Sequence, residues 1–372
     1  MSAHRNFLEP FTLPSGIELK NRVLLAPMTN FLSNDDGTVS DQEIAYYKKR
    51  SGGVGAVITA CAYVLPHGKG FAGEIGVDRD EQIPSLKKLA DAIHAEGAKA
   101  ILQIFHGGRM CPPELVPNEE ILSASAVPAE RDGSKTPRPM TEQEIQETIN
   151  AFGEATRRAI EADFDGVELH GANTYLLQQF FSQHSNRRED KWGGSLENRM
   201  KFPLAVLESA QAAIEKHADG AFILGYRVSP EEREHPGITM EDTLMFVDEL
   251  ASRNLDYVHV SLSDFNQGSM REKDPTPRMA MIKDRIGHHV PVIGVGSLHT
   301  PDEVEKAIGT GVPLIALGRE MIMEPNWIEK VKNGNEDMIR VTLSKGAQEE
   351  LVLPDPLWNA IFSVPNWFPI VE

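Results

Sequence analysis

The chain predicts an α/β fold, a single (β/α)8 barrel with a C-terminal closing helix and tail. One domain is expected over residues 1–372, with the barrel at about 20–330 and the extension at about 331–372. Three observations predict it. Eight apolar runs alternate with helical patterns and the composition never breaks between them. The runs are apolar on both faces, as parallel strands covered by helices must be. The Gly-x-Gly-x-x-Gly turn that opens a doubly wound sheet is missing after the first run.

Residues 20–29 form a short strand that Pro27 ends, because proline cannot donate to a ladder. A helix over 41–50 and a second apolar run over 55–64 follow. Residues 82–96 then place Ile83, Leu86, Leu89, Ala90 and Ile93 at helical spacing. The third strand, 99–105, carries Gln103 and runs into His106-Gly-Gly-Arg109. A long connection rich in Pro, Ser and charge comes next, and a connection of that length is usually functional. Thr141-Glu-Gln-Glu144 is a capping box, in which hydroxyl and carboxylate each satisfy an orphan N–H, and Ile145, Ile149, Phe152 and Ile160 mark the buried stripe of its helix. Strand 166–169 leads to the Arg/Asp/Gly-rich connection 185–199 and a helix to about 216. Strands 222–228 and 257–262 are followed by helices over 239–253 and 278–286 respectively. Residues 290–295 run into Gly296, Thr300-Pro301-Asp-Glu303 caps another helix, and 313–317 runs into Gly318-Arg319. Beyond it lie a closing helix and a tail with Trp358 and Trp367, which cap the barrel or pack on a second subunit as a homo-oligomer.

Composition narrows the function classes. With 41% hydrophobic and 25% charged residues the chain reads as an ordinary soluble protein. A net charge of −18 repels phosphate backbones and anionic lipid, which leaves small molecules rather than nucleic acid or membrane as partners. The first ten residues lack a signal-peptide core, and the longest nearly apolar run, 56–65, is far short of the ~18 residues a membrane span needs. A cytoplasmic enzyme is expected. Cys61 and Cys111 are too few for a disulfide framework and lack metal-cluster spacing, so no metal is expected.

In a barrel of this kind the site is built on the C-terminal ends of the strands. Here those ends hold Thr29, Ala60, Gln103, His170, Arg227, Gly296 and Gly318-Arg319. The last glycines let backbone N–H groups approach a phosphate, and Arg319 adds charge. Gln103 suits an amide edge, and Arg227 suits a developing negative charge. A flat, amide-bearing, phosphorylated cofactor meets all of these demands. After the fourth strand, His170, Asn173 and Tyr175 offer two donors that can grip an oxygen and a phenol that can release a proton, the set needed to reduce a conjugated carbonyl compound.

Several segments together resemble the Old Yellow Enzyme family of FMN-dependent ene-reductases. They are Leu19-Lys-Asn-Arg-Val with Ala26-Pro-Met-Thr29, Gln103 with His106-Gly-Gly-Arg109, His170-Gly-Ala-Asn173-Thr-Tyr175, the run 185–199, Arg227-Val-Ser and Gly318-Arg319. The likeness covers roughly residues 7–330. It implies that Ala26, Pro27, Met28, Thr29, Ala60, Gln103, Arg227, Gly296, Gly318 and Arg319 hold FMN, with Thr29 near the reactive end. It implies also that His170 and Asn173 bind the substrate oxygen, that Tyr175 is the proton donor, and that NADH or NADPH is the reductant.

Two departures bear on the subgroup. One bacterial branch has Cys where Thr29 stands and His where Asn173 stands. Longer relatives add a cluster-binding cysteine motif and a second nucleotide domain, and neither is seen here, so electrons are expected directly from the nicotinamide. The expected reaction is reduction of the activated C=C bond of α,β-unsaturated carbonyl or nitro compounds. The alternatives are an amine oxidase or demethylase of the same fold, or a non-flavin phosphate-binding lyase or isomerase.

Overall fold

A computed structural model describes residues 4–371. Eight parallel strands form a closed ring: β1 (Val23–Leu25), β2 (Ala56–Ile58), β3 (Lys99–Phe105), β4 (Gly166–Gly171), β5 (Ile223–Val228), β6 (Tyr257–Val260), β7 (Val292–Gly294) and β8 (Leu314–Leu317). Each strand pairs with the next. The ring closes where Ile315 of β8 sits opposite Val23 of β1. Helices between the strands cover it: α1 (Asp41–Ser51), α2 (Ile83–Ala95), α3 (Glu142–Glu161), α4 (Leu196–His217), α5 (Met240–Ala251), α6 (Arg278–Ile286) and α7 (Pro301–Gly309).

Helix starts follow local chemistry. Thr141 Oγ1 accepts from Glu144 N while Glu144 Oε2 accepts from Thr141 N at 2.7 Å, and Thr300 with Glu303 repeats the arrangement with Pro301 in the first turn of α7. Strand side chains alternate, so one set packs outward under the helices and the other fills the barrel. Leu24, Ala56, Ile58, Ile101, Ile223, Tyr257, Ile293 and Leu314 make the apolar inner cluster. The N-terminal end of the ring is plugged by the antiparallel pair Phe11–Thr12 and Glu18–Leu19, whose Leu19 joins the same cluster. Gly225 is required inside: a Cβ there would lie 2.2 Å from the buried Tyr257 ring.

The second apolar run, 55–64, is not one continuous strand, and the barrel strand stops two residues before the expected end at Ala60. Its barrel part ends at Ile58, and Ala62–Tyr63 then pairs with both Ile75–Gly76 and Ile104–Phe105. The cause lies in the partners: the N–H of Ala60 leaves the ladder and donates to the buried hydroxyl of Tyr47 on α1 at 2.6 Å. The long connection before α3 is also ordered, with Leu122–Ser123 paired to Arg138–Pro139. Arg188 Nη1 donates to the carbonyls of Ala124 and Met140, Asn186 to those of Phe180 and Trp192, and Trp192 Nε1 to Glu142. The specific run 185–199 is thus a clamp that bolts the connection to the barrel.

The C-terminal segment packs on its own barrel. Leu351, Leu357, Ile361 and Phe368 join the main apolar core, Arg50 donates to the Leu351 carbonyl at 2.7 Å, and Ile370–Val371 pairs with Leu343–Ser344. Among the described residues no helix is long and apolar enough to cross a membrane.

Candidate active site

The C-terminal ends of the strands open into a cleft of about 640 Å³, within the size range of cofactor sites. Ala26, Pro27 and Met28 from the end of β1 line it, with Asn173, Arg227, Gly296, Gly318 and Arg319. Thr29, Ala60, Gln103, His170 and Tyr175 are not among its lining residues. Thr29 is half-buried, and Ala60 is held under its loop by Tyr47. Gln103 lies deeper in the barrel. His170 and Tyr175 sit together beside the cleft, their ring centroids 4.9 Å apart.

The strand register explains the depth. Gln103 stands opposite Glu168, His170 opposite Arg227, and Arg227 opposite His259. A polar layer therefore crosses the upper barrel. Gln103 Nε2 donates to Glu168 Oε1 at 2.6 Å, and His259 Nδ1 approaches Glu168 Oε2 at 2.9 Å. Burial alone would raise the Glu168 carboxyl, yet His259, Arg227 and Gln103 hold it below its ordinary value. Glu168 and His259 were not anticipated, although the alternation Gly166-Glu168-His170 puts Glu168 on the face of His170 and could have shown it.

Arg227 carries the strongest sign of a missing partner. Only 9% of it is exposed, no hydrogen bond or ion pair to its side chain is found among the described residues, and its Nε is both buried and unsatisfied. A buried polar group in that state calls for a ligand. A salt bridge to a nearby carboxylate, the ordinary fate of such an arginine, is not made. Gln103 likewise bonds across strands and not to its own loop.

His170 is kept neutral, because burial and then the charge of Arg227 push it well below the usual histidine value. Its Nδ1 accepts from Ala172 N at 3.4 Å, which leaves the Nε2 proton to donate. Asn173 adopts a left-handed backbone, φ 55°, that asparagine tolerates well. Its N–H donates to Ser229 Oγ at 3.0 Å and its Oδ1 accepts from Ser261 Oγ at 3.2 Å, which leaves the Nδ2 amide protons free. Tyr175 stacks edge-on against Phe105 at 4.9 Å, and burial first, then Cys61 and Glu74, raise its phenol well above its usual value. It is a protonated acid.

Two glutamines that went unnoticed in the sequence hold this loop. Gln178 Oε1 accepts from Thr174 N at 3.0 Å. Gln179 Nε2 donates to the carbonyls of Thr174 and Gly107, and its Oε1 accepts from Arg109 N at 3.0 Å. The 170–175 and 106–109 turns are thereby tied together.

At the other rim Gly296 has φ 139°, a conformation closed to side chains, and a Cβ there would lie 2.5 Å from Phe265 N. Gly318 leaves its backbone bare beside Met28. Arg319 Nη1 donates to the Trp367 carbonyl at 3.0 Å and Nη2 to Ser297 Oγ at 2.6 Å, so the tail takes part in the rim. The helix it opens has only five residues, Arg319–Met323. An orphaned guanidinium and two bare glycine turns around one cleft, with the Gln103 amide in the barrel layer of Arg227's neighbours, fit a flavin mononucleotide.

Comparisons with known proteins agree. The chain is 49% identical over 367 residues to the probable NADH-dependent flavin oxidoreductase YqiG of Bacillus subtilis (strain 168), covering 98% of each. It is 44% identical to the NADH:fumarate oxidoreductase of Klebsiella pneumoniae (strain 342), covering 96% of this chain but only 39% of that protein. Morphinone reductase superposes with a TM-score of 0.76 at 26% identity, over 89% of this chain and 90% of that one. Residues 6–338 match the NADH:flavin oxidoreductase / NADH oxidase family. The chain belongs to that family: it is an oxidoreductase of the Old Yellow Enzyme group, whose cofactors are FMN and a reduced nicotinamide dinucleotide.

Proposed function

We propose that this protein uses NADH or NADPH to reduce the activated C=C bond of α,β-unsaturated carbonyl or nitro compounds. The observation that carries the reading is the pair of unspent donors, His170 Nε2–H and Asn173 Nδ2–H, next to the protonated phenol of Tyr175. Names among the relatives support it, since fumarate, acrylate and morphinone are the compounds after which three of them are called. The chain spans 39% and 35% of the first two, so their whole activities are not carried over.

In this reading Arg227 and Gln103 bind the polar edge of FMN, Ala26 to Thr29 and Ala60 border it, and Gly296, Gly318 and Arg319 bind its phosphate. When bound, FMN would supply the hydride chemistry that links the nicotinamide to the β-carbon of the alkene. The protein's own work is done at the other end of the conjugated system. His170 and Asn173 hold the carbonyl or nitro oxygen as negative charge grows there, a kind of contact worth about 2.7–4 kcal/mol per donor in other enzymes. Neutral His170 suits this because its Nε2–H donates without bringing a second positive charge beside Arg227. Tyr175 holds the proton for the α-carbon, and its raised pKa keeps that proton in place until charge develops beside it.

Anaerobic titration of the purified yellow protein tests the reading. Flavin absorbance should bleach with NADH or NADPH and return on adding an enone such as 2-cyclohexenone faster than without it. Bleaching without faster return would reject the ene-reductase assignment and leave an amine-directed or purely nicotinamide-oxidising activity.

A further inference from the structure

The Glu168–His259 pair has no part in the chemistry above, yet it is costly. Both side chains are wholly shielded from solvent. Taking charges out of water is so expensive that an apolar filling of the same barrel layer is often as stable or more so. Burial keeps His259 below its usual pKa against the pull of Glu168, which favours the neutral imidazole with Nδ1–H turned to the carboxylate. The layer then contains one negative group, Glu168, and one positive group, Arg227, which do not touch. What Glu168 does touch is Gln103. One amide proton of Gln103 is thereby committed, and the direction of its carbonyl with it.

We propose that Glu168 is a positioning residue for the flavin: held by His259, its carboxylate orients the Gln103 amide and offsets the positive charge that Arg227 presents to the cofactor. The inference rests on the reading that Gln103 and Arg227 face FMN. The physical consequence concerns charge. A positive group beside the pyrimidine edge favours the anionic reduced flavin over the neutral oxidised one, and a buried negative group a layer away opposes it. Glu168 would thus hold the flavin potential below the value Arg227 alone would set, keeping the reduced cofactor a stronger hydride donor.

The test is the midpoint potential of bound FMN, measured spectroscopically against reference dyes, together with the FMN dissociation constant by fluorescence. Four proteins are compared: wild type, Glu168→Gln, Arg227→Gln and the double variant. Glu168→Gln keeps the shape and an acceptor for Gln103 but removes the charge. Its potential should move positive, corresponding to reduced FMN binding about tenfold tighter relative to oxidised FMN. Arg227→Gln should move the potential negative, and the double variant should return towards wild type. Glu168→Asp, which retains the charge but shortens the reach, should weaken FMN binding with little change in potential. If Arg227→Gln shifts the potential and Glu168→Gln does not, the inference is overturned while the cofactor placement stands. If neither shifts it, the placement of FMN against Arg227 fails and the inference with it. Should Glu168→Gln not fold, His259→Leu takes its place. Without its donor, Glu168 protonates more readily, so the potential should lie above wild type at acidic pH and converge with it as pH rises, and an unchanged profile would overturn the inference.

Discussion

The carboxylate Oε1 of Glu74 lies 3.3 Å from the Sγ of Cys61, beneath the turn that carries Phe71 against Tyr175. Burial pushes Glu74 up to about 8 although its other oxygen accepts from the N–H groups of Gly70 and Phe71. Between the usual 4.5 and about 8 the folded protein keeps a proton that the unfolded chain has lost. Stability should therefore fall as pH rises through that window, by at most about 1.4 kcal/mol per pH unit from this group. Glu74→Gln keeps an oxygen for the two N–H groups and removes the titration, with its amide in place of the oxygen that accepts from Cys61. Urea unfolding at several pH values should show a flatter decline in the variant, and parallel declines would refute the assignment.

Tyr175→Phe removes a hydroxyl that makes no hydrogen bond among the described residues but leaves the ring packed on Phe105 and His170. FMN binding and reduction by the nicotinamide should persist nearly unchanged. Reoxidation by an enone should slow by about 10²–10⁴-fold, the usual loss when a general acid is removed. Stopped-flow traces of the two half-reactions separate these outcomes, and equal slowing of both would mark the tyrosine as merely structural.

The two cationic strand ends should behave differently. Arg319 is already anchored by Trp367 and Ser297, which under the proposed function presets it for a phosphate contact, whereas the Arg227 side chain is unanchored. Loss of a charged hydrogen bond costs about 1.5–3 kcal/mol, so Arg319→Ala should weaken FMN affinity roughly 10- to 150-fold. Arg227→Ala should retain some FMN but disfavour its reduced, anionic form. Equilibrium dialysis and anaerobic reduction would expose the error if both variants matched wild type.

Gly225→Ala would place a methyl group 2.2 Å from the Tyr257 ring inside a filled barrel. Overpacking of that kind costs about 1–3 kcal/mol or more. Gly220→Ala, where nothing lies within 4 Å, is the matched control and should be near neutral. Comparable denaturation midpoints for the two would show that the barrel relaxes around Tyr257.

What the sequence determined by itself was set by neighbours along the chain. Strand 99–105 and helix 278–286 were legible to the residue, because alternation and helical periodicity need only a short window. The capping boxes at Thr141 and Thr300 were legible because their bonds span three residues. The crowding of His170, Asn173 and Tyr175 at one strand end, and of glycine and arginine at others, is visible along the chain because each group spans only a few residues. Tertiary structure alone decided which side chains share a layer. Glu168 meets His259 across 91 positions, and Arg319 meets the Trp367 carbonyl across 48. The break of the second strand at Ile58 depends on a hydroxyl from α1. Such pairings follow from barrel closure and strand register, which are global properties of the folded chain, and a local window carries no information about them.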